Sequence, residues 1–182
     1  MKRKSLSVTK KTLNFYLTKL KDPQVRKLYS LFSNNLASMD LTNKKIMVGV
    51  SGGADSLAVL FFSQCYALKH HTKLYPVIID HKLRKESTIE AKNLKYKLKQ
   101  NFKINCKILS KKIVKINKNI QSYARDLRYD LFFEECNKQK IDYLILGHHK
   151  DDLIENFFIR FLRGSGLKLS LIHISEPTRR SM

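Results

Sequence analysis

Residues 46–50 (Ile46-Met47-Val48-Gly49-Val50) are apolar throughout and run directly into Ser51-Gly52-Gly53-Ala54-Asp55-Ser56, after which a helical pattern continues to about residue 69. A strand with no polar alternation has to be covered on both faces. Two glycines that carry it straight into a helix make the first half of a strand–helix–strand unit. The alternation continues. Val77-Ile78-Ile79 reads as a second strand, with Pro76 expected at its start because proline cannot donate to a ladder. Ser87-Thr88-Ile89-Glu90 has the form of a capping box and opens a helix with Ala91, Leu94, Leu98 and Phe102 facing inward. Residues 104–109 read as a third strand, and Ile120, Ala124, Leu127 and Leu131 mark the next helix. Tyr143-Leu144-Ile145-Leu146 is a fourth strand, followed by a helix over about residues 151–163. Ahead of all this, Leu13, Leu17 and Leu20 recur at helical spacing, as do Val25, Leu28, Leu31 and Phe32, with Pro23 in the first turn of the second helix. The expected fold class is α/β: a doubly wound, mainly parallel sheet with helices on both faces. The expected divisions are a basic helical lead at 1–45, the α/β domain at 46–167 and an atypical tail at 168–182. Right-handed crossovers gather the carboxyl ends of such strands on one edge, where ligands bind.

At 182 residues the chain is about one domain long, and 43% hydrophobic with 28% charged residues is a globular composition. No apolar run nears the ~18 residues of a membrane helix, so a soluble protein of the cytoplasm, without a membrane partner, is expected. The net charge is +21. Between Glu90 and Asp126 there is no acid, whereas Lys92, Lys95, Lys97, Lys99, Lys103, Lys107, Lys111, Lys112, Lys115, Lys118 and Arg125 all fall there. Such clustering goes beyond a uniformly lysine-rich composition and favours a nucleic-acid surface. Cys65, Cys106 and Cys136 form no CxxC pair and lie in apolar neighbourhoods, as buried structural thiols do.

The loop at 51–56 carries the chemistry. Its glycines allow close backbone approach to a ligand, the following helix contributes unbonded amides and a positive dipole end, and Ser51 and Ser56 add hydroxyls. Together these suit a phosphate. Asp55 beside phosphates implies a bridging cation, Mg²⁺ being the natural one. The Walker pattern GxxxxGK[ST] is absent. At the second strand's end, Asp80-His81-Lys82-Leu83-Arg84 places a carboxylate beside the nucleotide by topology and an arginine within reach of phosphate. At the fourth, Gly147-His148-His149-Lys150-Asp151-Asp152 precedes Glu155, so Asp151, Asp152 and Glu155 crowd one helix surface. Three carboxylates there suit a cation or a basic substrate group. A histidine metal site is the weaker reading, because no third His or Cys stands at ligand spacing. Gln121, Arg125 and Arg128 share a helix face fit for phosphate or RNA backbone. Arg160 and Arg163 precede Gly164-Ser165-Gly166-Leu167, a loop placed to close over the active edge.

The string at 51–56 resembles the SGGxDS signature of the PP-loop ATP pyrophosphatases, which cleave ATP between the α and β phosphates. With the motifs at 80–84, 121–129, 147–155 and 163–167, in matching order and spacing, residues 46–167 resemble the N-terminal catalytic domain of the tRNA(Ile)-lysidine synthases. That resemblance implies ATP and Mg²⁺ as cofactors, and as substrates free L-lysine and a tRNA(Ile) with a CAU anticodon. It implies adenylation of the wobble cytidine at its 2-oxo group, then displacement of AMP by lysine. Ser51, Gly52, Gly53, Ala54, Asp55, Ser56, Asp80 and Gly147 would hold the nucleotide. Asp55 and Asp152 would hold the metal. Asp55, Asp151, Asp152 and Arg125 would act in catalysis. His148, His149, Glu155, Arg128, Arg163 and Ser165 would bind substrate. A homodimer is one option for assembly. Lys82 stands where the family usually has glycine and Asn156 where it usually has threonine, and residues 168–182 leave the pattern, as a frameshifted or otherwise non-native tail does. Two other readings are a PP-loop tRNA thiolase, although those enzymes commonly use cysteine pairs, and an inert tRNA-binding remnant.

Overall fold

The computed structural model describes residues 10–37, 39, 41–111, 120–141 and 143–147. In chain order these form α1 (Lys10–Lys19), α2 (Pro23–Ala37), β1 (Lys45–Val50), α3 (Ala54–His70), β2 (Lys73–Asp80), α4 (Ser87–Phe102), β3 (Lys107–Ser110), α5 (Ile120–Gln139) and β4 (Tyr143–Leu146). The four strands make one sheet in the order β3-β2-β1-β4. All three pairings are parallel, with Ile46 opposite Leu74 and Tyr143, and Ile78 opposite Ile108.

The uniform hydrophobicity of the strands is explained by two cores. Successive strand residues point to opposite faces. Ile46, Val48, Val50, Ile78 and Ile145 pack with residues of α1 to α4. Met47, Val77, Leu144 and Leu146 pack with Tyr129, Phe132 and Cys136 of α5. Helices thus cover both faces, as the sequence pattern predicts. The chain runs outward from β1 through β2 to β3 and then returns through α5 to the far side of β1. The strand order therefore reverses between β1 and β4, and the carboxyl ends of strands at such a reversal form a crevice.

Several local expectations need correction. In α1 the buried residue is Tyr16, 1% exposed, while Leu13 and Leu17 stand 39% and 51% exposed. Aromatic packing decides this: Tyr16 meets Phe15 edge to face and Phe61 at a tilt, and its hydroxyl donates to the Phe102 carbonyl at the end of α4. Leu31 of α2 is likewise exposed, whereas Phe32 and Leu36 join the same core as β1. Pro76 lies inside β2, opposite Val48. It is tolerated because pairing with β3 starts only at the next residue, Val77. β3 is shorter than the pattern suggests, with Ile104 and Cys106 buried ahead of it. Ser87 does not cap α4, which begins after Glu86 without a side-chain cap. Lys82 has φ 52, the left-handed region where a side chain is strained and glycine is not.

The cysteines are all free and buried, as expected. Burial pushes the thiols of Cys65 and Cys106 up to about 12 and that of Cys136 to about 11. They are inert at neutral pH.

Candidate active site

The loop between β1 and α3 is tied by one side chain. Ser56 is 2% exposed, and its Oγ accepts the amides of Ser51 at 3.3 Å and Gly52 at 3.1 Å. The same hydroxyl meets Ser51 Oγ at 3.1 Å and donates to the Gly53 carbonyl at 2.9 Å. Gly52 makes the turn at φ 93, which only glycine adopts without strain. Gly53 precedes α3 in an extended conformation with no side chain capping the helix. The result is a 17-residue helix whose first turn opens on a glycine loop. Backbone amides and the helix dipole there favour an anion.

Gly147, the first residue after β4, presses against this turn. A Cβ at Gly147 would stand 2.8 Å from the Ser56 nitrogen and 2.9 Å from the Asp55 carbonyl carbon and Ser56 Cα, all main-chain atoms. The β1–β4 pairing thus brings the glycine that ends β4 directly onto the loop that ends β1.

The third wall follows β2. Asp80 is 3% exposed, and its carboxylate accepts the Lys82 amide at 3.0 Å, Ser87 Oγ at 2.9 Å and Thr88 Oγ1 at 2.7 Å. Burial alone would raise the Asp80 pKa; the two hydroxyls, the amide and the Lys82 charge outweigh it and hold the carboxyl below its usual value. Asp80 therefore folds residues 81–88 into a wall and faces its own loop. His81, Leu83, Arg84 and Ser87 from this segment line the crevice. Arg84 also lies 3.6 Å from Glu90 in an exposed pair worth little.

Together with Ser51, Gly52, Ser56 and Gly147, these residues enclose a cavity of about 500 Å³ at the carboxyl edge of the sheet. Its floor includes Val50, Ile78, Leu146 and Phe132, and Arg128 of α5 reaches it from the opposite layer. Gly53, Ala54 and Asp55 form the exposed outer lip of the loop. Arg125, one turn before Arg128, is half-buried. Asp151, Asp152, His148, His149, Glu155, Arg163 and Ser165 lie outside the described residues.

His81, the first residue after β2, also lines the cavity. Its Nδ1 is buried and, among the described residues, has no hydrogen-bond partner. Burial and the Arg128 charge lower its pKa, against the opposing pull of Asp80. The unfolded chain therefore takes up a proton near pH 6.5 before the folded one does, and stability falls as pH drops below that value. His70, lowered chiefly by burial, contributes in the same direction. Urea midpoints measured from pH 8 to pH 5 should decline, and His81→Gln should flatten the decline while leaving the His70 share.

Among the described residues no three His, Cys, Asp or Glu side chains stand together as a metal cage. Mg²⁺ needs none, because one or two carboxylates with substrate phosphates and water suffice. The exposed Asp55 at the mouth of the phosphate loop fits that requirement.

The PP-loop domain family matches residues 20–182. The tRNA(Ile)-lysidine synthase of Orientia tsutsugamushi (strain Boryong) is 43% identical over 125 residues, 69% of this chain and 28% of that protein. Those of Rickettsia rickettsii (strain Sheila Smith) and a Wolbachia of Brugia malayi are 35% and 36% identical, each over 77% of this chain and 30% and 33% of their own length. The chain thus spans about a third, or less, of the curated relatives it matches. Among solved structures, a U34-tRNA thiolase, NcsA of Methanococcus maripaludis, superposes with a TM-score of 0.61 at 22% identity, over 78% of this chain and 51% of the thiolase. That likeness is one of fold. With the family match covering most of the sequence, and the family's loop standing at the sheet reversal, the chain belongs to the PP-loop family and is an α/β domain built for ATP.

Proposed function

We propose that this chain is the ATP-activating part of a tRNA(Ile)-lysidine synthase. It would join free L-lysine to carbon 2 of the wobble cytidine in a tRNA(Ile) with a CAU anticodon. The observation that carries the reading is the cavity of about 500 Å³ where an uncapped helix start, the Ser51–Ser56 loop, Gly147 and Arg128 converge. Its volume suits a nucleotide. The similarity to lysidine synthases supplies the substrate class.

The chemistry asks two things of the site. The 2-oxo oxygen of cytosine attacks the α-phosphorus of ATP, and pyrophosphate leaves with the electrons of the α–β bridge. The lysine ε-amine then attacks carbon 2, the C–O bond breaks, AMP leaves and the amine loses a proton. In the first step negative charge grows on the phosphates, where loop amides, the α3 dipole and Arg128 would stabilise it. Magnesium, when bound, adds positive charge to the leaving pyrophosphate. Asp55 is the described residue that would hold it, with Asp152 as the second ligand of the proposal. In the second step Asp151, Asp152 and Glu155 would bind the lysine ammonium and take its proton, with Arg125, His148, His149, Arg163 and Ser165 gripping the RNA. The three cysteines are buried with raised pKa values, and none lines the cavity, which argues against sulfur transfer through a protein thiol.

ATP–pyrophosphate exchange tests the proposal. Exchange should require the tRNA(Ile) transcript with a CAU anticodon, and added radiolabelled lysine should appear on the base and not at the 3′ end. Exchange that proceeds equally without RNA would overturn it, and so would tRNA binding without any exchange.

A further inference from the structure

Helix α4 has two unlike faces. Ala91, Leu94, Leu98 and Phe102 pack inward. Away from them Ile89, Lys92, Tyr96 and Lys99 recur every three or four residues and so share an outward face, with Lys103 at the helix C-cap just beyond. Ile89 and Tyr96 are 61% and 64% exposed, and the three lysines beside them are exposed as well.

Ion pairing separates this row from the two lysines at and just after β3. Lys107 and Lys111 are held by Glu135 and Glu134 of α5 at 2.7 and 2.9 Å. Among the described residues no carboxylate pairs with Lys92, Lys99 or Lys103. Lys103 Nζ donates to the Gln100 carbonyl, which neutralises no charge. Glu90, the acid in the first turn, is turned to Arg84. The row is therefore an uncompensated positive stripe with an aromatic ring in its middle. It also begins where the cavity does, since Ser87, Glu90, Ala91 and Leu94 of the same helix line that cavity.

Solvated lysines alone need no partner. An exposed tyrosine ring set among them adds a stacking face that a solvated lysine row lacks. Phosphates held by lysines, with a base laid on an aromatic ring, is the standard chemistry of single-stranded nucleic-acid binding. We propose that the outer face of α4 is a docking surface for a single-stranded RNA segment. Its phosphates would lie on Lys92, Lys99 and Lys103 and one base on Tyr96, leading the strand toward the cavity. From Lys92 to the end of the helix beside Lys103 is about 15 Å, enough for a few nucleotides. The proposal rests on the reading of the substrate as RNA and names the surface that receives it.

The test uses the whole 182-residue chain and the tRNA(Ile) transcript with a CAU anticodon, titrated over a range of salt. The triple variant K92Q/K99Q/K103N places asparagine, which tolerates the left-handed region, where Lys103 has φ 56. It should make the slope of log affinity against log salt shallower by about 2, as expected for three lost phosphate contacts on a single strand. Tyr96→Ala should weaken binding about tenfold with the slope unchanged. ATP binding and melting midpoints should stay at wild-type values in both. Wild-type tRNA binding with an unaltered slope in the triple variant would overturn the surface while leaving the proposed activity standing. Loss of binding to phosphatidylserine vesicles with tRNA binding intact would overturn it in favour of a membrane. Failure of the wild-type chain to bind tRNA at all would instead remove the RNA reading itself.

Discussion

Gly147→Ala is expected to abolish nucleotide binding and to lower the melting midpoint by about 10 °C. The reason is steric and local. A methyl group at this position would meet three main-chain atoms of Asp55 and Ser56 at 2.8–2.9 Å. Main chain cannot rotate out of the way as a side chain can. Either β4 withdraws from β1, or the first turn of α3 shifts and breaks the hydrogen bonds that gather on Ser56 Oγ. Overpacking of this kind costs roughly 3 kcal/mol, which is about 10 °C for a domain of this size. Gly49→Ala provides the contrast. Its added carbon would meet the ends of the Leu146 and Phe132 side chains, not the loop backbone. It should destabilise by a similar amount, yet retain measurable ATP affinity in chains that stay folded. Calorimetric titration with ATP at 15 °C, beside thermal melts, separates the two effects. Wild-type ATP affinity in Gly147→Ala would show that the contact between β4 and the loop does not shape the site.

The difference between these two glycines also marks what the sequence could and could not disclose. The loop at 51–56 was legible because its signal is local: an uninterrupted apolar strand, two glycines and a helix. The pressure of Gly147 on that loop was not, because it follows from β4 lying beside β1, and nothing within residues 143–147 states which strand they will join. Asp80 was legible as a strand-end acid, but nothing in its neighbourhood showed that it turns to Lys82, Ser87 and Thr88. Ser87 fits a helix cap by spacing, a role in which its oxygen would accept a helix-start amide; instead the Ser87 and Thr88 hydroxyls both donate to the buried Asp80 carboxylate, a charged acceptor. Tyr16 illustrates a third case. Periodicity offered a leucine stripe on α1, and the aromatic cluster with Phe15 and Phe61 took the core instead. His81 carried a usable signal, its place just beyond the strand end, but only the convergence of α5 brings Arg128 toward it.

Asp80→Ala should be the most destabilising substitution at the cavity wall, and the Asp80 share of the fall in stability below about pH 4 should disappear with it. Removing the carboxylate leaves the Lys82 amide and the hydroxyls of Ser87 and Thr88 without their acceptor at a position 3% exposed. Bonds to a charged acceptor of this kind contribute about 1.5–3 kcal/mol each, so for three of them a loss of roughly 5 kcal/mol is expected. Asp80→Asn keeps an acceptor at Oδ1 and lets the Thr88 hydroxyl rotate to receive the new amide, so about half that loss should result. The charge has its own signature. Because the folded carboxyl titrates below its ordinary value, the unfolded chain binds the proton first on acidification. The stabilisation is thus complete above about pH 4 and drains away as pH falls through the lower, folded pKa. Denaturant midpoints between pH 5 and pH 2 should show that fall in the wild type beyond what Asp80→Asn shows. The wall formed by residues 81–88 depends on the same anchor, so ATP should bind about tenfold more weakly to Asp80→Ala than to Asp80→Asn. Equal ATP affinity in the two variants, with the loop's hydrogen bonds lost in one and partly kept in the other, would mean that this segment encloses the cavity without shaping what binds there.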